Sequence, residues 1–194
     1  AAIPSPAWTT RDAAADVVAV LDAAGLPGVA VYGHSLGGRI AQWVAADFPD
    51  RVTRLVLGAT TTGDAHGLPR PEAATLAFES GDPLAALELV FSPGYLAAHP
   101  EAEKRTENRA VSPEQGALQL AMSTAHDGWD ALPRIRARTL VVHGVGDGVT
   151  DVRNASILHE HITDADLLLL AGARHAYFYE RADANAMIAA FLAG

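Results

Sequence analysis

The sequence predicts an α/β protein, a mostly parallel sheet with helices on both faces and a helical insertion between two of its strands. Three observations carry this. Short apolar runs at residues 29–31, 52–58, 139–144 and 166–171 lack the alternation of a half-exposed strand and read as strands buried on both faces. Helical stretches of 3.6-residue periodicity alternate with them. Between about residues 59 and 138 that rhythm gives way to short helical pieces broken by Pro69, Pro71, Pro83, Pro93, Pro100 and Pro113. The expected division is a core of residues 1–58 and 138–194 and a helical cap of residues 59–137.

Taken in order, Thr9 opens a helix whose apolar stripe is Ala13, Val17, Val20, Leu21 and Ala24, and Gly25 and Pro27 end it. Residues 28–38 then run a strand into a G-x-S-x-G turn. Gly33 and Gly37 flank Ser35 because the strand must reverse within a few residues, and a side chain at either position is expected to clash. Leu36, Ile40, Trp43, Val44 and Phe48 fall at helical spacing behind it. Pro49, Asp50 and Arg51 make a turn, and the strand at 52–58 completes a right-handed βαβ unit. After the insertion come a strand, a helix at 153–161, a strand, and a last helix at about 180–192. There is no internal repeat.

At 194 residues the chain fits one domain, or one domain with an inserted subdomain. A net charge of -9, with only 14 basic residues thinly spread, argues against a nucleic-acid partner. The absence of cysteine rules out disulfides, a thiolate nucleophile and cysteine-based metal sites. No apolar run approaches the roughly 18 residues of a membrane span, and residues 1–6 lack the regions of a signal peptide, so the expectation is a cytoplasmic protein without a membrane partner. The chain has no initiating Met, which hints at processing or a fragment.

A G-x-S-x-G pattern alone arises by chance in roughly one chain in twenty of this composition. Its plain alternative is a Gly-rich corner whose serine caps the helix. The strand before it and the helix after it favour a nucleophile instead. Reactive groups in an open parallel sheet gather beyond the C-terminal strand ends, where Asp147 and His175 follow the third and fourth strands. A serine hydroxyl is a poor nucleophile near neutral pH. His175 could take its proton and return it to the leaving group, while Asp147 holds the ring in the right tautomer. The backbone N–H of Leu36, at the helix start, supplies one oxyanion donor, and no second donor is apparent.

Gly33-His34-Ser35-Leu36-Gly37-Gly38 resembles the nucleophile elbow of the α/β-hydrolase superfamily. Phe48-Pro49-Asp50-Arg51-Val52 is similar to its turn after the nucleophile helix, residues 141–147 to its acid loop, and Gly172-Ala173-Arg174-His175 to its histidine loop. The likeness covers nearly the whole chain and points to the capped esterases, enol-lactone hydrolases, prolyl aminopeptidases and haloperoxidase-like enzymes. It implies Ser35, Asp147 and His175 as the triad, no cofactor, no metal, and a cap roofing the pocket. Asp151 is a rival acid, because the residues after Asp147 depart from the family pattern. Family members also carry roughly 60 to 80 further residues before the first helix, including the loop of the second oxyanion donor. The expected consequences are an unpaired edge along the Ser35 strand, open to self-association or a partner chain, and an activity weakened by about 100- to 1000-fold.

His34, Trp129 and Phe78 are the candidates for touching substrate, with Phe91 and Met122 as further cap residues. His143 reads as the end of a buried strand. His159 and His161 point to different sides of a helix and make a poor metal pair. His66, His99 and His126 are expected to face solvent, Tyr177, Phe178 and Tyr179 to pack the last helix on the sheet, and Asp64 to be a solvated turn residue. The leading function is hydrolysis of a small ester, lactone or related acyl compound through an acyl-enzyme on Ser35. Carbon-carbon hydrolysis or perhydrolysis would use the same triad, and a binding protein that keeps the fold is the alternative from another class.

Overall fold

The four apolar runs form strands β1 (Val29–His34), β2 (Val52–Gly58), β3 (Arg138–Gly144) and β4 (Ala165–Leu170) in a computed structural model that describes residues 8–80, 82, 84–102 and 112–194. They pair in parallel and in chain order. His34 therefore lies beside Gly58, Gly58 beside Val142, and Gly144 beside Leu170, so every loop leaving a strand end emerges on the same side of the molecule. Parallel strands need crossovers, and the helices that supply them cover the two sheet faces.

Leu55, Leu57 and Val141 point into one core with helices α2 (Leu36–Asp47) and α7 (Arg153–His161), and α1 (Thr10–Ala23) packs against α2. Val56, Leu140 and Val142 point the other way, onto α9 (Ala182–Ala193) and the short α8 (Tyr177–Glu180). This two-residue alternation is why the strands are apolar throughout. Each fully buried leucine or valine contributes about 1.5–3 kcal/mol, against about 0–1 kcal/mol for an exposed pair such as Arg11 with Asp47, so the cores dominate stability.

The α1 stripe differs from its expected position. Thr10, Ala13, Ala14 and Val18 are buried, whereas Val17 and Val20 are 37% and 66% exposed and Ala24 is exposed. Two contacts set the rotation. A capping box between Thr9 and Asp12 fixes the first turn, and the Thr10 hydroxyl lies 2.8 Å from His126 Nδ1. His126 is consequently buried at 3% exposure instead of facing solvent.

Between β2 and β3 lie α3 (Glu72–Glu79), α4 (Leu87–Val90), α5 (Pro93–Ala98), α6 (Pro113–Thr124) and a 3-10 turn at Trp129–Arg134. Several prolines here begin helices rather than break them: Pro93 and Pro113 follow the N-caps Ser92 and Ser112, where a missing N–H costs nothing. Pro83, with residues 1–7, falls outside the described residues. A bridge between Gly63 and Asp127 and a 2.7 Å bond from Gly128 N–H to Thr62 O bring the ends of the insertion together. Ala131, Leu132 and Ile135 then rejoin the first core. Among the described residues β1 pairs only with β2, leaving Ala30 and Tyr32 exposed, and no helix is long and apolar enough to cross a membrane.

The glycines of the β1–α2 reversal are not equivalent. A Cβ on Gly33 would sit 2.4 Å from the Gly37 carbonyl and 2.7 Å from the Ala41 Cβ, and one on Gly38 would meet the Thr60 side chain at 2.6–2.8 Å. At Gly37 the expected clash is absent, since that position faces open space. Gly33→Ala and Gly38→Ala are each expected to cost about 1–3 kcal/mol or more, and Gly37→Ala to leave stability unchanged or slightly raised. Urea unfolding midpoints of the three variants decide this; equal losses at all three would contradict the packing described.

Candidate active site

Ser35 joins β1 to α2 in a single residue. Its backbone takes φ 53° and ψ -118°, outside the space that a side chain ordinarily permits, so the surroundings must hold it there. They do so from three directions. The Ser35 N–H donates to Gly58 O at 2.8 Å, and its carbonyl accepts from the Gly38 and Arg39 N–H groups at 3.0 and 3.2 Å and from the Thr60 hydroxyl at 2.8 Å. Thr60 was not evident as a site residue in the sequence, although the close approach that forces Gly38 to be a glycine is its only trace there.

The Ser35 side chain makes no capping bond to α2, which removes the reading of this serine as an ordinary N-cap. Its hydroxyl is equally without a hydrogen bond to His175 or any other described residue. The Leu36 N–H, first in the helix, has no intrahelical acceptor and lies at the positive end of the helix dipole.

Asp147 and His175 do come together. His175 Nδ1–H donates to Asp147 Oδ2 at 2.8 Å, with the Asp147 side chain fully buried and that of His175 10% exposed. Asp147 Oδ1 accepts from the Val149 and Thr150 N–H groups at 2.8 and 2.9 Å, the side-chain turn that follows an aspartate leaving a strand. Burial alone would raise the Asp147 pKa. The charge of His175 and the hydrogen bonds from His143 and His175 outweigh it and hold the carboxyl well below its usual range. Asp151, the rival acid, is taken up by Arg153 at 2.6 Å, so the histidine partner is Asp147.

His34 Nε2 lies 2.9 Å from the His175 carbonyl oxygen, and the two rings meet edge to face at 4.8 Å. As the donor, His34 anchors the histidine loop. Burial, assisted by the charge of His175, lowers its pKa to about 4. Carbonyls at the end of α4 hold both loops: Gly148 N–H donates to Leu89 O at 3.1 Å and Ala176 N–H to Val90 O at 2.9 Å. Sequence reasoning missed these backbone contacts, which leave no residue-type signature.

The other candidates scatter. Trp129 lies between the His66 and His161 rings, at 4.8 and 4.2 Å, against the first core. Phe78 sits under the Arg70 guanidinium at 5.4 Å, Phe91 packs with Ala176 in a small third core, and Met122 is buried in α6. Tyr177 is fully buried, its hydroxyl 2.7 Å from that of Tyr32, and burial pushes its pKa up. Asp64 is exposed at the rim of a cavity of about 230 Å³ that it shares with Arg39 and Arg70.

The profile of the alpha/beta hydrolase fold family matches residues 2–182. The chain belongs to that family. Its curated relatives include 3-oxoadipate enol-lactonase 2 of Acinetobacter baylyi, 32% identical over 160 residues that cover 80% of this chain and 60% of that protein. Pimeloyl-(acyl-carrier protein) methyl ester esterase of Neisseria meningitidis is 30% identical over 170 residues, covering 81% and 66% respectively. The chain thus spans about 60% and 66% of the lengths of these two relatives. A hydrolase of Pseudomonas aeruginosa superposes with a TM-score of 0.82 at 26% identity, over 98% of this chain and 74% of that one. The elbow, acid loop and histidine loop of this hydrolase-fold chain all lie within the matched residues.

Two buried histidines make stability depend on pH in a stated direction. His34 and His126, the latter lowered to about 3 by burial and the nearby Arg39, resist protonation when folded, while the unfolded chain binds protons near the ordinary histidine pKa of about 6.5. The unfolded state therefore holds more protons between pH 6.5 and 4, and stability falls as pH drops through that window, by on the order of 3 kcal/mol from His34 alone. Melting temperatures across this range should decline in wild type and decline less in H126N; parallel profiles for the two would count against the assignment.

Proposed function

We propose that the chain carries the catalytic apparatus of a serine hydrolase acting on a small ester, lactone or related acyl compound, with Ser35 as nucleophile, His175 as general base and acid, and Asp147 as its orienting carboxylate. The supporting observation is the juxtaposition at one end of the sheet of an uncapped, backbone-strained serine at the β1–α2 reversal and a buried aspartate–histidine pair at 2.8 Å. The Asp147 bond occupies His175 Nδ1, leaving Nε2 for the serine; that hydrogen bond forms as substrate closes the site, as is common where catalytic bonds are loose in the free enzyme.

In this reading Ser35 Oγ attacks the acyl carbon as its proton passes to His175 Nε2, and Asp147 stabilises the imidazolium. The oxyanion is met by the Leu36 N–H. Collapse breaks the bond to the leaving alkoxide, which takes the proton from His175. Water, deprotonated by the same nitrogen, then cleaves the acyl-enzyme and restores the serine. No cofactor enters. The family's enol-lactonase and esterase relatives support the ester and lactone class. The insertion of residues 59–137 is the cap in this scheme, and of the three candidate substrate contacts only His34 lies at the site, against His175. The open edge of β1 is available to a second copy or a partner chain.

The missing Ser35–His175 bond is the one observation that favours a binding protein that keeps the fold without the chemistry. Labelling separates the two. A fluorophosphonate probe is expected to form an adduct that maps to Ser35, S35A to give none, and D147N to slow the reaction by up to about 10⁴-fold. Absence of any adduct, or an adduct elsewhere, sinks the hydrolase reading.

A further inference from the structure

His143 ends β3 with its side chain fully buried, where the sequence suggested only packing. Its Nε2 lies 3.1 Å from the Thr150 carbonyl oxygen, toward which the N–H is aligned, and 3.0 Å from Asp147 Oδ2. Both neighbours are acceptors, so this nitrogen carries the proton. The other nitrogen, Nδ1, is buried with no partner. A buried polar atom left unpaired costs about 1–3 kcal/mol, which a leucine or phenylalanine in the same place would avoid. Packing alone therefore gives no reason for an imidazole here; the contacts of Nε2 do.

Those contacts converge on the atom that holds His175. Asp147 Oδ2 receives His175 Nδ1–H at 2.8 Å and faces His143 Nε2 at 3.0 Å, while Oδ1 is held by two backbone N–H groups. The same His143 N–H clasps the carbonyl of Thr150, whose own N–H is one of those two. Ring, carboxylate and turn thus form a closed set of bonds. Without the His143 ring the carboxylate would keep its bonds from Val149, Thr150 and His175, but Oδ2 would lose the group that faces it on its other side.

We infer that His143 is a positioning residue of the proposed triad: its Nε2–H fixes the Asp147 turn and sets Oδ2 against His175 Nδ1. This rests on the hydrolase reading for its catalytic consequence, but its structural content is independent of it. Glutamine can place its amide nitrogen where Nε2 lies, and asparagine reaches only as far as Nδ1, so the pair H143Q and H143N separates donor position from mere polarity or fold. In H143N, fluorophosphonate labelling of Ser35 should slow by about 10- to 100-fold, the scale of a misplacement near 1 Å, and H143Q should restore most of the rate. NMR of protein labelled with ¹⁵N-histidine gives the second readout. The His175 Nδ1–H resonance should persist in H143Q and shift, or vanish through exchange, in H143N.

Equal labelling and an unchanged His175 signal in the two variants, with wild-type circular dichroism, would overturn the inference. If wild type takes no label, the hydrolase reading fails by itself and the His175 resonance still decides whether His143 positions the pair. Should H143N unfold while H143Q matches wild type, a Leu variant that folds and keeps the His175 signal would likewise defeat the proposal.

Discussion

A chain that leaves a parallel strand and enters a helix through one residue must place that residue outside ordinary backbone space, and everything near the site answers to this constraint at Ser35. The strain of a non-glycine residue there, on the order of 1–3 kcal/mol, persists only if the surroundings over-determine it. Here the end of β2 and the residues just after it do most of this: Gly58 accepts the Ser35 N–H, and Thr60, two residues on, holds its carbonyl. The Ala59 N–H between them bonds to Val142 O of β3 at 2.9 Å. Serine backbone, β2 end and β3 end are thus one bonded unit, and the parallel register that creates it comes from two cores burying alternate residues of the same strands.

The electrostatics of the acid loop follow from the same topology. Asp147 can stay charged while buried because it leaves β3 where backbone N–H groups of its own turn and imidazoles from two strand ends converge. An isolated buried carboxylate would pick up a proton instead. The N–H groups and imidazoles around the carboxylate reverse that outcome, and the reversal is large enough to outweigh desolvation. A charged Asp147 is the state that can keep the His175 proton on Nδ1, so the loop's hydrogen bonding selects the tautomer.

Much of this was legible in the residues, and the rest was hidden for definite reasons. Strands buried on both faces announce themselves as unbroken apolar runs, and the order Ser35, Asp147, His175 follows from looking beyond strand ends. Helix α1 was misread at Val17 and Val20 because periodicity reports that a helix has an apolar side, not which small residues approach a neighbour; Ala13 and Ala14 carry little hydropathy yet allow the close contact with α2. His126 was misplaced since its burial depends on Thr10, 116 positions away. Gly37 shows a motif overstating its own requirement: the pattern marks it, while the steric demand falls on Gly33 and Gly38. His143 was visible as a buried strand end, but its bond to Asp147 depends on the turn between them.

The α4 contacts extend the same reasoning into the insertion. The last carbonyls of any helix lack intrahelical donors and must find others. In α4 those of Leu89 and Val90 find Gly148 N–H and Ala176 N–H, each one residue from Asp147 and His175, which lie 2.8 Å apart. A Cβ on Gly148 would meet Leu89 at 2.9–3.1 Å, so a larger residue there would press on α4. Two neighbouring carbonyls on one rigid turn have a fixed spacing, and the loops bonded to them inherit it. The insertion is therefore bonded to the loops of Asp147 and His175 through α4, and to the Ser35 carbonyl through Thr60 at its start.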